Sequence, residues 1–379
     1  MKDTTFRVIL TGGGSGGHVY PLLAVAEQLQ AKAAELQFDL ALTYIGPKDP
    51  FAGALAGRGI RMETILGGKY RRYFSLLNVL DVPKLIIGFF QALAKLYVIM
   101  PDVVFSKGGT GALPVVIAAW FYRIPVAIHE SDAKPGLTNL LSAYFARKIF
   151  VSFASAQKYF NPSITSRTGT PVRKELFAVN TAKEDARDTL GFEEGSPLLV
   201  ILGGSQGAQS LNTFVLENLP GVIALAQVFH QTGTANFQEV ETLSRAALID
   251  ASYKNRYQAI AYLDDQNYAL ALTAADLVIS RSGSGSLAEL SAFGAPAMLV
   301  PHDAGGNGHQ SANAYEYAKT GAAVIIEQGN LLPGIFLSQL KLILGNEESR
   351  KKMSAEAKKF YVPDAAEKIV QGIIEMATH

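Results

Sequence analysis

Short apolar runs rich in Val and Ile alternate along this chain with longer stretches whose apolar residues recur at helical spacing. Phe6 to Leu10, Leu40 to Ile45, Val103 to Phe105, Val126 to His129 and Ile149 to Val151 read as strands, with helical periods between them. Parallel strands need helical crossovers, so this alternation predicts a parallel sheet covered on both faces. The rhythm restarts after the turn-rich segment Asn161 to Val172. Strands are then expected at Leu198 to Leu202, Val228 to Gln231, Gln258 to Ala261, Leu277 to Ile279, Ala297 to Val300 and Ala323 to Ile326. The fold class is therefore α/β with two doubly wound, Rossmann-like domains. The expected division is 1–168, 169–362, and a C-terminal helix after Pro363, within 363–379, that packs back on the first domain.

Length supports two cores, since 379 residues exceed what one hydrophobic core organises. With 49% hydrophobic and 18% charged residues, the whole chain is expected to fold. The absence of cysteine removes disulfides, thiolate metal sites and cysteine nucleophiles, and fits a reducing compartment. The N-terminus runs directly into a strand without a signal-peptide pattern, which makes the cytoplasm the expected location. A net charge of +1 argues against a nucleic-acid binder. The most apolar segment, Leu85 to Met100, is interrupted by Gln91 and Lys95 and reads as too short to span a bilayer. It is expected to lie on a surface instead. Together with the basic-aromatic run Lys69 to Phe74, it offers a contact for anionic lipid headgroups.

Four glycine runs follow predicted strands: Gly12-Gly13-Gly14-Ser15-Gly16-Gly17, Gly108-Gly109-Thr110-Gly111, Gly203-Gly204-Ser205-Gln206-Gly207 and Ser282-Gly283-Ser284-Gly285. The first contains G-x-G-x-x-G, a dinucleotide signature when a carboxylate closes the second strand. That strand ends Tyr44-Ile45-Gly46-Pro47, and Asp39 lies at its opening end, which argues against a dinucleotide. What the runs share is physical: glycines let the backbone approach an anion, and helix N-termini favour negative charge. A phosphorylated ligand is expected, in a region where Pro21 opens the first helix.

The ordered set of motifs resembles the MurG family of glycosyltransferase family 28, the UDP-N-acetylglucosamine:undecaprenyl-pyrophosphoryl-N-acetylmuramyl-pentapeptide transferases of peptidoglycan synthesis. The matching stretches are Gly13 to Ala26, Gly68 to Phe74, His129-Glu130, Pro135 to Asn139, Pro171-Val172-Arg173, Gly203 to Ala208, His230 to Gly233 and Ala275 to Glu289. The resemblance implies a GT-B architecture, two domains facing across a cleft. It implies inverting transfer of N-acetylglucosamine to the C4 hydroxyl of lipid-linked N-acetylmuramyl-pentapeptide, lipid I to lipid II, at the cytoplasmic side of the cell membrane.

Carried over by position, the donor's uracil meets the backbone of Leu263 and Glu289 holds the ribose. Ser205 and the loop Ser284, Gly285, Ser286, Leu287 and Ala288 face the diphosphate, with Arg173 as cation. Gln310 recognises the sugar hydroxyls, while Ser15, Gly16, Gly17 and Asp132 border the sugar from the first domain. Gly13, Gly14, Gly108 and Gly109 form its anion loops. The chain departs from the family at Ser131-Asp132, where Gln-Asn is usual, at His309, where a glutamine is usual, and at Thr170, which replaces Asn. Sugar selectivity is the property that the departure at His309 touches.

For the chemistry, His18 is the candidate general base, with His129 and Glu130 as alternatives at another strand end. The helix starts and Arg173 are expected to stabilise the leaving diphosphate without a metal ion or other cofactor. The expected partners are UDP-N-acetylglucosamine, the undecaprenyl-linked acceptor and an anionic membrane surface, and no nucleic acid. Three alternatives stand beside this reading: a GT-B transferase moving another UDP-sugar to another lipid acceptor, a UDP-sugar epimerase or hydrolase, and a non-catalytic nucleotide-binding partner.

Overall fold

The computed structural model describes residues 5–13, 16–48, 53–68, 76–109, 111–204, 207–249, 253–302 and 308–377. In chain order the first elements are β1 (Phe6–Gly13), α1 (Gly16–Leu36), β2 (Leu40–Gly46), α2 (Gly53–Ala56), β3 (Arg61–Thr64) and α3 (Leu76–Ile99). Next come β4 (Val103–Gly109), α4 (Ala112–Phe121), β5 (Val126–Glu130), α5 (Leu137–Ser142), β6 (Lys148–Val151) and β7 (Thr165–Arg167). The second series opens with α6 (Lys183–Leu190), β8 (Leu198–Leu202), α7 (Gln209–Glu217), α8 (Leu219–Ile223), β9 (Gln227–Gln231), α9 (Phe237–Ala247) and β10 (Tyr257–Ile260). It continues through α10 (Asp265–Ala274), β11 (Leu277–Ser280), α11 (Ser284–Phe293), β12 (Ala297–Leu299), α12 (His309–Ala318) and β13 (Ala323–Ile325). Three helices close the chain: α13 (Pro333–Leu344), α14 (Glu347–Phe360) and α15 (Ala365–Ala377).

Two compact units result, one of 1–173 with 362–379 and one of 174–361. The first is built on a parallel sheet of order β3-β2-β1-β4-β5-β6-β7, the second on one of order β10-β9-β8-β11-β12-β13. Each order reverses once, between β1 and β4 and between β8 and β11, and open α/β sheets bind ligands beyond the carboxyl ends of the strands at that reversal. β1 and β8, central in their sheets, are buried through Val8, Ile9 and Leu10 and through Leu198 to Leu202. Such continuously apolar strands are what helices on both faces require.

Helix α15 completes the core of the first unit. Its Ile369, Val370, Ile373 and Met376 are buried against α1 and the sheet, each burial contributing roughly 1.5–3 kcal/mol. Gly372 is where the helix crosses the Phe150 ring, since a Cβ there would stand 2.6 Å from the ring's Cζ. The pair Lys148–Glu375 ties the same helix to β6.

Three expectations from the sequence need correction. α1 begins at Gly16, so Pro21 lies inside the helix instead of opening it. Strands β3 and β7 escaped the reading because both are polar edge strands, Arg61-Met62-Glu63-Thr64 and Thr165-Ser166-Arg167, with little apolar alternation. Helix α3 is longer than the apolar run suggested, and Asp81–Ile99 is by length and composition alone sufficient to cross a membrane, with a mean hydropathy of 1.5. It nevertheless lies against its own domain. Asp81, Gly88, Ala92 and Leu96 form a buried stripe, Gln91 Oε1 accepts from Leu66 N at 2.7 Å, and Lys95 pairs with Glu63. The opposite stripe, Val82, Ile86, Ile87, Phe90, Tyr97 and Val98, is apolar and exposed.

Candidate functional site

In the first unit the ends of β1 and β4 pair Gly13 with Gly109, after a shift of register between Thr11 and Gly13. Gly109 has φ 83°, and a Cβ there would lie 2.3 Å from the Gly13 carbonyl and 3.1 Å from the His18 ring. Only glycine permits this approach, which packs the loop backbone against the imidazole of His18. His18 sits in the first turn of α1, half-buried, with Gly16 and Gly17 before it. Gly108 rests on the Asn139 carboxamide, 2.5 Å from the site of an added Cβ. The phenol of the buried Tyr44 donates to the Gly12 carbonyl beneath the same loop.

The end of β5 carries a buried polar cluster. Glu130 Oε1 accepts from the Asp132 amide at 2.9 Å, and its Oε2 accepts from Gly136 N and Asn139 Nδ2, each at 3.0 Å. Lys107, only 1% exposed, donates to Ser131 Oγ at 2.7 Å. Burial lowers its pKa, against the charges of Glu130 and Asp132, which raise it. Burial and the neighbouring Asp132 push the Glu130 carboxyl above its ordinary range, while Lys107 and the donors pull it back.

His129 is fully buried, and its Nε2 lies 3.0 Å from the Gly169 carbonyl. Since a carbonyl only accepts, that nitrogen carries the proton. Desolvation by burial, and then the Lys107 charge, hold its pKa at about 3 against the Gly169 hydrogen bond, which raises it, so the ring is neutral. His129 thus braces the 169–170 turn through the Gly169 carbonyl, and both oxygens of Glu130 accept hydrogen bonds within the turn 131–136. Asp132 remains half-buried at the loop's edge. Arg173 places its guanidinium 4.4 Å over the Tyr20 ring, two residues beyond His18.

In the second unit Ser280 pairs with Leu202, so the loops after β8 and β11 leave the sheet side by side. In the first loop, Gly207 has φ 76° and stands where a Cβ would lie 2.6 Å from the Thr232 carbonyl. The second loop leads into α11 through Gly283, an N-cap residue that makes no side-chain cap hydrogen bond to the first-turn amides of Ser284, Gly285 and Ser286. Leu287 and Ala288 anchor the helix in the core. Arg281 fixes the loop's base by donating to Val300 O and Gln328 Oε1, both at 2.7 Å, and to Ser210 Oγ at 2.8 Å. Ser282 Oγ donates to the Gln310 carbonyl at 2.7 Å, and the Gln310 side-chain oxygen accepts from His302 N at 2.9 Å.

Glu289, half-buried one turn into α11, accepts at Oε2 from the Tyr268 phenol at 2.9 Å. Leu263 is buried immediately before α10, whose first turn is capped by Asp264 accepting from Asn267 N at 2.8 Å. His230, beneath the first loop, is locked between Asn212 Oδ1 at 3.0 Å and the Tyr257 hydroxyl at 2.9 Å. Burial lowers it to about 3.

The structure thus gathers Gly13, Gly16, Gly17, His18, Gly108, Gly109, Asp132 and Arg173 in the first unit, and Leu263, Ser284 to Glu289 and Gln310 in the second. Gly14, Ser15 and Ser205 lie outside the described residues, as does the run Lys69 to Phe74. Sequence reasoning missed Lys107, Tyr20 and Tyr268. The signal for Lys107 was a lone lysine closing an otherwise apolar strand. Tyr268 gave none, since a tyrosine in an amphipathic helix is ordinary.

Comparison with known proteins bears on this arrangement. The glycosyltransferase family 28 N-terminal domain matches residues 8–151, and the family 28 C-terminal domain matches residues 198–369. A Ruminiclostridium cellulolyticum protein named UDP-N-acetylglucosamine--N-acetylmuramyl-(pentapeptide) pyrophosphoryl-undecaprenol N-acetylglucosamine transferase is 35% identical over 373 residues, 98% of this chain and 100% of its own. The chain belongs to this transferase family. A Clostridium tetani member of the same name is 35% identical over 344 residues, covering 90% of this chain and 91% of its own. The crystal structure of Acinetobacter baumannii MurG superposes with a TM-score of 0.74 at 27% identity, covering 98% of this chain and 99% of that one. The two parallel-sheet α/β units are accordingly those of a GT-B transferase of this family.

Proposed function

We propose that the chain transfers N-acetylglucosamine from UDP-N-acetylglucosamine to the lipid-linked N-acetylmuramyl-pentapeptide, converting lipid I to lipid II in peptidoglycan synthesis. The observation that carries this is 35% identity to a transferase of that name along its whole length. The two loops leaving the second sheet side by side supply what such a donor needs. In the proposed arrangement the Leu263 backbone meets the uracil and Glu289 takes the ribose hydroxyls. The uncapped amides of Ser284 to Ser286 take the diphosphate, with Ser205 and Arg173, and Gln310 meets the sugar.

His18 acts as general base. The acceptor's C4 oxygen forms a bond to the anomeric carbon, the bond from that carbon to the phosphate oxygen breaks, and UDP leaves with the electron pair. The hydroxyl proton passes to His18, and the anomeric configuration inverts. Charge building on the diphosphate is stabilised by fixed amide dipoles, so we infer that no metal ion takes part.

The apolar outer stripe of α3, with Trp120 and Phe121 exposed at the end of α4, is read as the surface that meets the membrane bearing the acceptor. Replacing Ile86 and Phe90 with Asp is expected to abolish co-sedimentation with anionic vesicles while leaving UDP binding intact; retained co-sedimentation would remove this role.

The function is tested with radiolabelled UDP-N-acetylglucosamine and a lipid-linked muramyl acceptor, with a chelator in parallel. Label should enter the lipid fraction equally with and without chelator. Free labelled sugar without lipid product would contradict transfer, and chelator-sensitive transfer would contradict the metal-free leaving group.

A further inference from the structure

We propose that Tyr268 is a positioning residue that sets the Glu289 carboxylate for the donor's ribose; the proposal rests on the reading of Glu289 as the ribose-binding group. The Tyr268 phenol donates to Glu289 Oε2 at 2.9 Å across two helices, with both side chains half-buried. A glutamate has three side-chain torsions, and presenting its carboxylate to two vicinal hydroxyls requires all three to be fixed. A hydrogen bond to Oε2 restricts the plane of the carboxylate, whose oxygens each have the capacity to accept more than one hydrogen bond.

The placement of Tyr268 extends its effect. Its backbone amide closes the first turn of α10 on the Asp264 carbonyl at 2.8 Å, and Asp264 follows directly on Leu263. The same turn therefore carries the backbone proposed to meet the uracil and the phenol that orients the carboxylate. The carboxylate's own helix, α11, carries the amides proposed for the diphosphate. The proposed base, ribose and phosphate subsites are thus joined through the Tyr268–Glu289 hydrogen bond.

The test is a double-mutant cycle on the full-length protein. UDP dissociation constants are taken by calorimetry and steady-state constants with UDP-N-acetylglucosamine, for Tyr268→Phe, Glu289→Gln and the double variant. A hydrogen bond to an ionised group predicts that Tyr268→Phe weakens UDP and raises the donor KM by about five- to twentyfold. Its kcat should stay within about twofold, and its added effect in the Glu289→Gln background should fall below about twofold. The calorimetric constant is that of the folded molecules, so a loss of folded protein lowers the stoichiometry and leaves the constant readable. If Glu289→Gln weakens UDP and Tyr268→Phe does not, the positioning role is overturned and the Glu289 reading stands. An equal effect of Tyr268→Phe in both backgrounds marks general support of the fold and also overturns it. If neither variant changes UDP binding, the ribose assignment fails and carries this proposal with it.

Discussion

The Arg173 guanidinium lies 4.4 Å from the centroid of the Tyr20 ring, joining the end of the Pro171-Val172-Arg173 turn to the first helix of the same unit. Stacking of this kind contributes about 0.5–1 kcal/mol at exposed sites and more when water is excluded. It also restricts a long side chain whose proposed task is to face a diphosphate. Tyr20→Leu should therefore raise the donor KM about two- to fivefold with kcat nearly unchanged, and Tyr20→Phe, which keeps the ring face, should stay within about twofold of the parent. Steady-state kinetics with donor varied checks both. Equal effects of Leu and Phe would show that the stacking does not hold Arg173.

The division of labour between the units predicts two different kinetic signatures. Glu289→Ala removes the ribose contact proposed above, made in ground and transition states alike, so the donor KM should rise by about ten- to a hundredfold. His18→Ala removes the proposed general base and should lower kcat by about 10²–10⁴-fold with a modest change in KM. Donor saturation curves for the two variants separate these outcomes. Parallel losses of kcat and KM in both would show the roles to be misassigned.

Stability should fall in mild acid. His129 and His230 are buried and held to about 3, well below an ordinary imidazole. Between about pH 6.5 and that value the unfolded chain binds protons that the folded chain refuses. Their contribution is thus complete above about pH 6.5 and is lost on descending toward pH 3, at roughly 1.4 kcal/mol per pH unit for each histidine. Urea unfolding followed from about pH 7 to about pH 5 should show midpoints that decline steadily. His230→Asn should flatten the slope for the second unit, and an unchanged slope would mean that His230 does not carry the linkage.

Much of this was legible in the residues. The Val and Ile runs at β1, β4, β8 and β11 named both central strand pairs, because a strand covered on two faces has no choice but to be apolar. The glycines at 109 and 207 marked backbone that must pass close to its neighbours, and both have positive φ. What escaped depends on partners distant in sequence. Whether His129 is a base or a brace turns on the Gly169 carbonyl, 40 residues away. Whether Lys107 is a surface charge or a buried donor turns on Ser131. Helix α3 was read as too short because Gln91 and Lys95 interrupt its apolar run, yet both are spent on the adjoining 63–66 segment, leaving the outer stripe unbroken.

The most direct measurement is a crystal structure with UDP bound. The uracil is expected at the Leu263 backbone, the ribose hydroxyls on Glu289 and the phosphates at the amides of Ser284 to Ser286, with no cation bridging them. A nucleotide bound away from α11, or phosphates held through a metal ion, would contradict this placement.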